Sequence, residues 1–444
     1  MERAPSWGID PVPDRLKVLG LLDTTMLWGN LGISLLVIVA GAFLGPALGL
    51  QKALLAIVMG ALLGNALLAL AGLIGERRRV PAMVLLRDPL GVRGSYLPTV
   101  LNVGQNLGWA VFELIVIATA ASALSDRVFG FHAKWLWTLV FAGVTVAFAF
   151  LGPVSFVRQW VRRFALWVVL ASLGYLVWWT IDGANLTALW HQGGDGSLTF
   201  AQGVDLTIAM AASWLPLAAD YTRFSRNGRS AFWGTGIGYA IPNALLYLLG
   251  ALLLLSRGLD DAAAIVPAIA TGGLASGLAL LALTVDETDE PFANVYSSAV
   301  SLQNLWPRVP QRLLIVAVAA LATVGALTID LGQYLTFLYL LGSFFVPLFG
   351  VLAADFLLGP QERASVRLGG LAAWIAGFAL YQWLQPTGPS WWTDAVAHTH
   401  AGAWSIGASL PSFALASALT VAFRSVPSLR GAARPRRESL ARSR

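Results

Sequence analysis

The sequence has no cysteine, only four histidines, and few charged residues. The missing cysteine excludes disulfides and thiolate metal sites. His132, His191, His398 and His400 are too few and too scattered for a metal cluster, which needs several converging ligands. Asp, Glu, Lys and Arg make up 12% of the 444 residues, about half the roughly 25% of a soluble domain. The chain is 57% hydrophobic, with a mean hydropathy of +0.70. It reads as an all-α integral membrane protein. A net charge of +6 and a pI of 9.8 would suggest nucleic acid in a soluble protein. Here a bias of basic residues to one membrane face explains them better, so no nucleic-acid partner is expected. Residues 1–19 are polar, with Pro5, Pro11 and Pro13, and do not read as a cleavable signal peptide.

What is present is a series of long apolar runs. Residues 27–45, LWGNLGISLLVIVAGAFLG, are long enough to cross a bilayer, which takes about 20 residues as a helix. Gly29, Asn30, Gly32 and Ser34 weaken its start. An unsatisfied backbone group in lipid costs several kcal/mol, so a weak helix there must line a cavity or hold an ion. We read residues 28–34 as the break in a discontinuous helix.

Hydropathy predicts twelve spans, near 22–46, 53–75, 97–124, 135–152, 164–181, 203–222, 232–255, within 267–304, 312–329, 331–357, 368–385 and 403–423. Asp330 alone separates the ninth and tenth. With the N-terminus inside, 25 of the 29 Lys and Arg fall on the inner side, among them Arg158, Arg162 and Arg163. Only Lys52, Arg127, Lys134 and Arg257 stay outside. That bias predicts an inner-membrane protein with both termini cytoplasmic. Span six, MAASWLPLAADYTRF, is also irregular, with Pro216 and Asp220. Spans one and six cross in opposite senses, as in a five-plus-five inverted repeat. The expected division is an N-terminal segment (1–20), two five-helix repeats (21–182 and 203–358), two extra C-terminal helices (366–424) and a basic tail (425–444). The tail would lie against the anionic inner leaflet.

Three spans carry candidate chemistry. In span three, Asn102, Asn106, Trp109 and Glu113 share one helix face. A lipid-facing Glu would cost at least about 2.5–3.5 kcal/mol, so Glu113 must face protein, water or a ligand. It is either a buried carboxyl bonded to a neighbouring helix or an acceptor for a polar ligand, with Trp109 as a stacking plate. In span six, Ser213 and Trp214 precede Pro216, which leaves an earlier carbonyl free. Asp220 and Arg223 read as a structural or gating pair. Span eight holds Asp286, Glu287, Asp289 and Glu290 beside Thr284 and Thr288. The alternatives are an acidic loop or one crossing with a polar middle. Carboxylates this close cannot all stay ionised in a low dielectric, so a proton or a cation offsets them. The Asn294 amide can both donate and accept, which suits a nucleobase-like edge.

These residues carry a resemblance. LWGNLGIS in span one, Gly108-Trp109 in span three, AADYTRF in span six and ANVYSSAVSL in span eight resemble nucleobase–cation symporter family one, the purine/cytosine permeases, over roughly residues 15–360. The resemblance implies twelve spans in a leucine-transporter-like inverted-repeat fold, with discontinuous helices 1 and 6. It implies a flat heterocycle between Trp109 and Trp214, with Asn106, Glu113 and Asn294 around it; Ser213, beside the Pro216 opening, is a further substrate candidate. It places the coupling cation at the span-one break, around Gly29, Asn30 and Gly32, and on span eight, where Thr288 fits a hydroxyl position; Thr284 and Asp289 beside it are further cation candidates. Span eight departs from the family in being rich in Asp and Glu, which keeps both Na⁺ and H⁺ open as coupling ions. Carboxylates there, and at Glu113, favour an amino-bearing ring. The YSSAVS run resembles the thiamine-precursor branch.

The expected function is symport of cytosine or hydroxymethylpyrimidine by alternating access, as a monomer in membrane lipid, with no cofactor beyond the coupling ion. The same fold could instead carry purine, uracil, allantoin or hydantoin. A channel or non-transporting receptor is the cross-class alternative, but a channel needs a continuous polar pore and these polar residues cluster at mid-membrane. A membrane enzyme using the acidic island as a metal site would lack His partners and a phosphate-cradling loop.

Overall fold

The computed structural model describes residues 8–156, 166–329, 334–399 and 406–425, which form helices joined by loops. Arg158, Arg162, Arg163, Asp330, His400, the tail from residue 426 and the first residues of the fifth, tenth and twelfth expected spans lie outside them. Among the described residues the only extended pairing is an isolated bridge between Leu19 and Ser225. The main helices are α1 (Leu21–Leu31), α2 (Leu35–Ala42), α3 (Leu50–Arg78), α4 (Tyr96–Phe129), α5 (Lys134–Phe156), α6 (Leu166–Ile181), α7 (Phe200–Ala212) and α8 (Ala218–Thr222). They continue as α9 (Gly228–Arg257), α10 (Leu274–Asp286), α11 (Asp289–Leu305), α12 (Gln311–Thr328), α13 (Tyr334–Leu357), α14 (Leu368–Leu384) and α15 (Ser409–Ser425). By length and composition α3, α4, α5, α9, α12 and α13 can each cross a membrane, and α1 with α2 makes a seventh crossing if the bent pair is one span.

Sequence chemistry explains where the crossings break. The path bends by 58° between α1 and the helical stretch from Leu35. Trp28 to Leu31 remain helical, so the break is narrower than residues 28–34 and confined to Gly32, Ile33 and Ser34. Gly32 follows α1 at a close approach to α9, where a Cβ would lie 2.7 Å from Pro242 Cγ. Ser34 restarts the chain: its Oγ accepts from Leu36 N at 3.1 Å, an N-cap that satisfies one of the free donors of α2. The second break runs through residues 213–217, between α7 and α8. The eighth expected span is likewise two helices, α10 and α11, meeting at Glu287 and Thr288.

Small residues bring the helices close. α1 and α2 pack along α9, α7 along α3, and α11 along α4. A Cβ on Gly250 would sit 1.9 Å from the Ile38 carbonyl oxygen, and one on Gly41 2.1 Å from that of Tyr247. Side chains cannot fit there, and this is how membrane helices gain van der Waals contact. On the outer face of α9, Ile237, Ile241 and Leu245 are exposed, while Tyr239, Asn243 and Tyr247 are buried on the other side.

Polar contacts tie the pieces together at the ends. Asp205 in α7 accepts from the backbone N–H of Ala408 and, at 3.2 Å, of Ser409, so its carboxylate caps α15. Arg424 at the far end of α15 bonds the Asp355 carboxylate at 3.0 Å. The segment from Gly8 to Leu19 closes one pole. Val12 N donates to Arg79 O at 2.9 Å, Leu19 N to Phe224 O at 3.0 Å, and Lys17 Nζ pairs with Glu76 Oε1 at 2.5 Å. Asp220 and Arg223, expected as a pair, lie within electrostatic reach of each other, and both also hold backbone. Asp220 Oδ1 accepts from Ala82 N at 2.9 Å, while Arg223 donates to the carbonyls of Asp220 and Gly8. Both side chains brace backbone at this pole.

Candidate functional site

The two breaks meet at a small cavity. From the first break come Ser34, Leu36 and Val37; from the second, Met210, Ser213, Trp214 and Leu217. α4 contributes Trp109 and Glu113, α9 contributes Tyr239, and α11 contributes Glu290 and Asn294.

Both indoles are fixed from behind by edge-to-face contacts, which aromatic rings prefer to direct stacking. Trp109 meets Tyr334 at 5.8 Å and Phe337 at 5.4 Å between ring centroids. Trp214 meets the buried Trp28 at 5.6 Å, and its Nε1 donates to Tyr239 Oη at 2.8 Å. Glu113 and Asn294 face each other. Asn294 Nδ2 lies 2.8 and 2.9 Å from the two Glu113 oxygens and 3.2 Å from the Glu290 carbonyl. The two sequence alternatives for Glu113 therefore coincide: it is bonded to a neighbouring helix and it lines a cavity. Gln105, one turn before Trp109, donates to the Ser213 carbonyl at 3.1 Å and to Asn102 Oδ1 at 2.9 Å. The carbonyl exposed by the second break is thus held by a side chain of α4.

The acidic run is divided among different tasks. Glu287 reaches the first break: it accepts from Ser34 Oγ and from Leu35 N, both at 2.7 Å. It caps α2, where the positive end of the helix dipole favours a carboxylate. Glu290 turns into the cavity. Asp286 is buried beside the Asn30 side chain and lines the groove where α6 meets α10. The Asp289 side chain lies outside the described residues.

Of the expected substrate residues, Trp109, Glu113, Ser213, Trp214 and Asn294 line the one cavity. Asn106 is buried off it, with both amide atoms unpartnered. Of the residues expected to hold a cation, none whose side chain is described lines it. Gly29 lies against the Gly238 carbonyl, Gly32 sits in the break, and Asn30 is buried. Thr284 Oγ1 donates to Leu280 O and Thr288 Oγ1 to Val285 O, each at 2.7 Å, leaving only their lone pairs for an ion. Among the described residues no three His, Asp or Glu side chains converge on a metal position. Sequence reasoning missed Met210 and Tyr239, and left Glu290 unassigned. Pro242, three residues after Tyr239, was the available signal for the latter, since it marks where α9 faces the first break.

Residues 11–369 match the sequence profile of a permease family for cytosine/purines, uracil, thiamine and allantoin. The hydantoin permease of Microbacterium maritypicum is 27% identical over 308 residues, which cover 64% of this chain and 61% of that protein, under two thirds of its length. The cytosine permease of Escherichia coli (strain K12) is 25% identical over 404 residues, 86% of this chain and 90% of that one. Among solved structures, Mhp1, a nucleobase-cation-symport-1 family transporter in a closed conformation with bromovinylhydantoin bound, superposes with a TM-score of 0.75 at 20% identity, covering 95% of this chain and 97% of its own. At that identity the likeness speaks for the fold. The matched residues run from the segment before the first break through all the elements that build the cavity, and on them the chain belongs to the nucleobase–cation symporter family, the permeases for cytosine, purines, uracil, thiamine and allantoin.

Proposed function

We propose that this chain is a secondary active symporter that imports an amino-substituted pyrimidine, cytosine or hydroxymethylpyrimidine, together with Na⁺ or H⁺. The observation that carries the reading is the cavity where two helix breaks meet, with Trp109 and Trp214 for the ring faces and Glu113 with Asn294 for a polar edge. Irregular backbone inside a membrane is tolerated where it lines such a cavity. The relatives' names, cytosine, hydantoin and allantoin permease, agree in small flat heterocycles. The preference for an amino-bearing ring rests on Glu113, an acceptor. The proposed frame is twelve spans in two inverted repeats plus two extra helices, acting as a monomer with cytoplasmic termini in the inner membrane. Its coupling cation would sit between the first break and α10–α11.

Proteoliposomes holding the purified chain should accumulate labelled cytosine or hydroxymethylpyrimidine when an inward Na⁺ or H⁺ gradient is imposed. Uptake indifferent to both gradients would reject symport. Preferential accumulation of uracil or hydantoin would keep the fold reading and replace the substrate.

A further inference from the structure

The Asn294 side chain is held with its amide turned one way. Nδ2 lies 2.8 and 2.9 Å from the two Glu113 oxygens and 3.2 Å from the Glu290 carbonyl, one turn back on α11. A primary amide has two N–H donors and one carbonyl acceptor. Glu113 takes one donor across the seam between α4 and α11, and the backbone carbonyl takes the other. That carbonyl can only accept. An amide turned the other way would set its own oxygen against it and against the carboxylate. Asn294 and Glu113 are 3% and 2% exposed, and both line the cavity. At such burial a lost hydrogen bond is costly, which fixes the orientation. What is left of the amide for a ligand is Oδ1, which has no partner among the described residues. Ser213, on the second break, is in the same position. Its hydroxyl donates to the Met210 carbonyl at 2.7 Å and offers the cavity only lone pairs.

We infer that Glu113 is a positioning residue: it turns the Asn294 amide so that the cavity meets the ring with a carbonyl acceptor, and the ring must answer with an N–H. An exocyclic amino group supplies one. A ring with a bare C–H at that edge leaves the buried Oδ1 unbonded, and a ring with a carbonyl there sets two oxygens against each other. Sites built in this way reject the analogue that lacks the donor. Glutamine at position 113 would relax the constraint, because its amide can donate as well as accept. This inference rests on the transport reading above and moves the contact that selects the ring from Glu113 to Asn294.

The test is the infrared difference spectrum of the full chain in nanodiscs with and without saturating cytosine. The chain is made with ordinary asparagine and with asparagine carrying heavy carbon in its side-chain carbonyl. Cytosine should shift a carbonyl band that moves with the label, while carboxylate stretches stay in place. A shift of carboxylate stretches that is lost in Glu113→Gln, with no labelled band, would overturn the inference. Calorimetric binding gives the second readout. Cytosine should bind at least about tenfold more tightly than 2-pyrimidinone, the same ring without the amino group, and Glu113→Gln should bring the ratio within about threefold. A purely structural Glu113 would weaken both rings alike and keep the ratio, which would also overturn the inference. Melting without ligand checks that the variant is folded, and the label on the unmodified chain decides the matter where it is not. If hydantoin binds and cytosine does not, the amino-ring reading falls, and the labelled band with hydantoin decides the inference by the same rule. If no ring binds, the transport reading and the inference fall together.

Discussion

At the scale of single residues, the site rests on side chains that are out of place in lipid. Trp109, Glu113 and Asn294 could be picked out because a polar or amphipathic group inside an apolar span demands a partner. Their rotation about the helix axis brings them to one hollow. The acidic run could not be resolved that way. Asp286, Glu287 and Glu290 point to a groove, a helix cap and the cavity, and that division depends on the break at Glu287–Thr288 and on where α2 begins. Gln105 was equally silent, because its partner is a carbonyl that is free only once the second break exists. Trp109→Ala removes one ring face and leaves Tyr334 and Phe337 to pack around a gap. Stacking on an aromatic is worth about 1–3 kcal/mol per base in nucleic-acid systems, so ring affinity should fall roughly five- to a hundredfold. A titration of the folded variant checks this, and unchanged affinity would remove the stacking role.

At the scale of elements, the breaks are built as much by what surrounds them as by their own sequence. Gly32 and Ser34 announced the first break, yet its surroundings, Pro242 packed close to Gly32 and Glu287 capping α2, come from distant segments. Pro216 announced the second, but the carbonyl that needs a partner is that of Ser213. Close packing of α2 on α9 holds this geometry. Gly250→Ala places a methyl against the Ile38 carbonyl. Overpacking of this kind costs about 1–3 kcal/mol. The melting temperature of the variant should therefore drop by several degrees, and ring binding should weaken with it. A variant that melts with the parent chain would show that α2 and α9 are further apart than described here.

At the scale of the whole molecule, the proposed inverted repeat makes a demand on which helices pair. If spans one and two correspond to six and seven, then the packing of α1 on α9 corresponds to that of α7 on α3, and both contacts are present. α4 against α11 maps onto itself. The sequence offered only the positions of the breaks and the alternation of charge for this, since the halves share no clear identity. The segment from Gly8 to Leu19 adds an asymmetric feature, a strap across one pole. Lys17 and Glu76 are nearly buried, and breaking a buried pair by removing one partner typically costs about 3–5 kcal/mol. Lys17→Met should loosen the strap, seen as faster amide exchange over residues 10–19 and a lower melting temperature. Exchange as slow as in the parent chain would mean that the strap is held by its backbone bonds alone.

The central claim is that the two breaks enclose the place where a ring binds. The absence of native cysteine makes it directly measurable, because a single introduced thiol reports without background. Met210→Cys puts that thiol on the cavity wall, and Ser197→Cys puts one in the exposed loop before α7. With the ring that proteoliposomes accumulate best present at saturation, alkylation at position 210 should slow by about tenfold or more, as expected for a thiol buried by ligand, while position 197 reacts unchanged. Equal rates at position 210 with and without that ring would contradict the account.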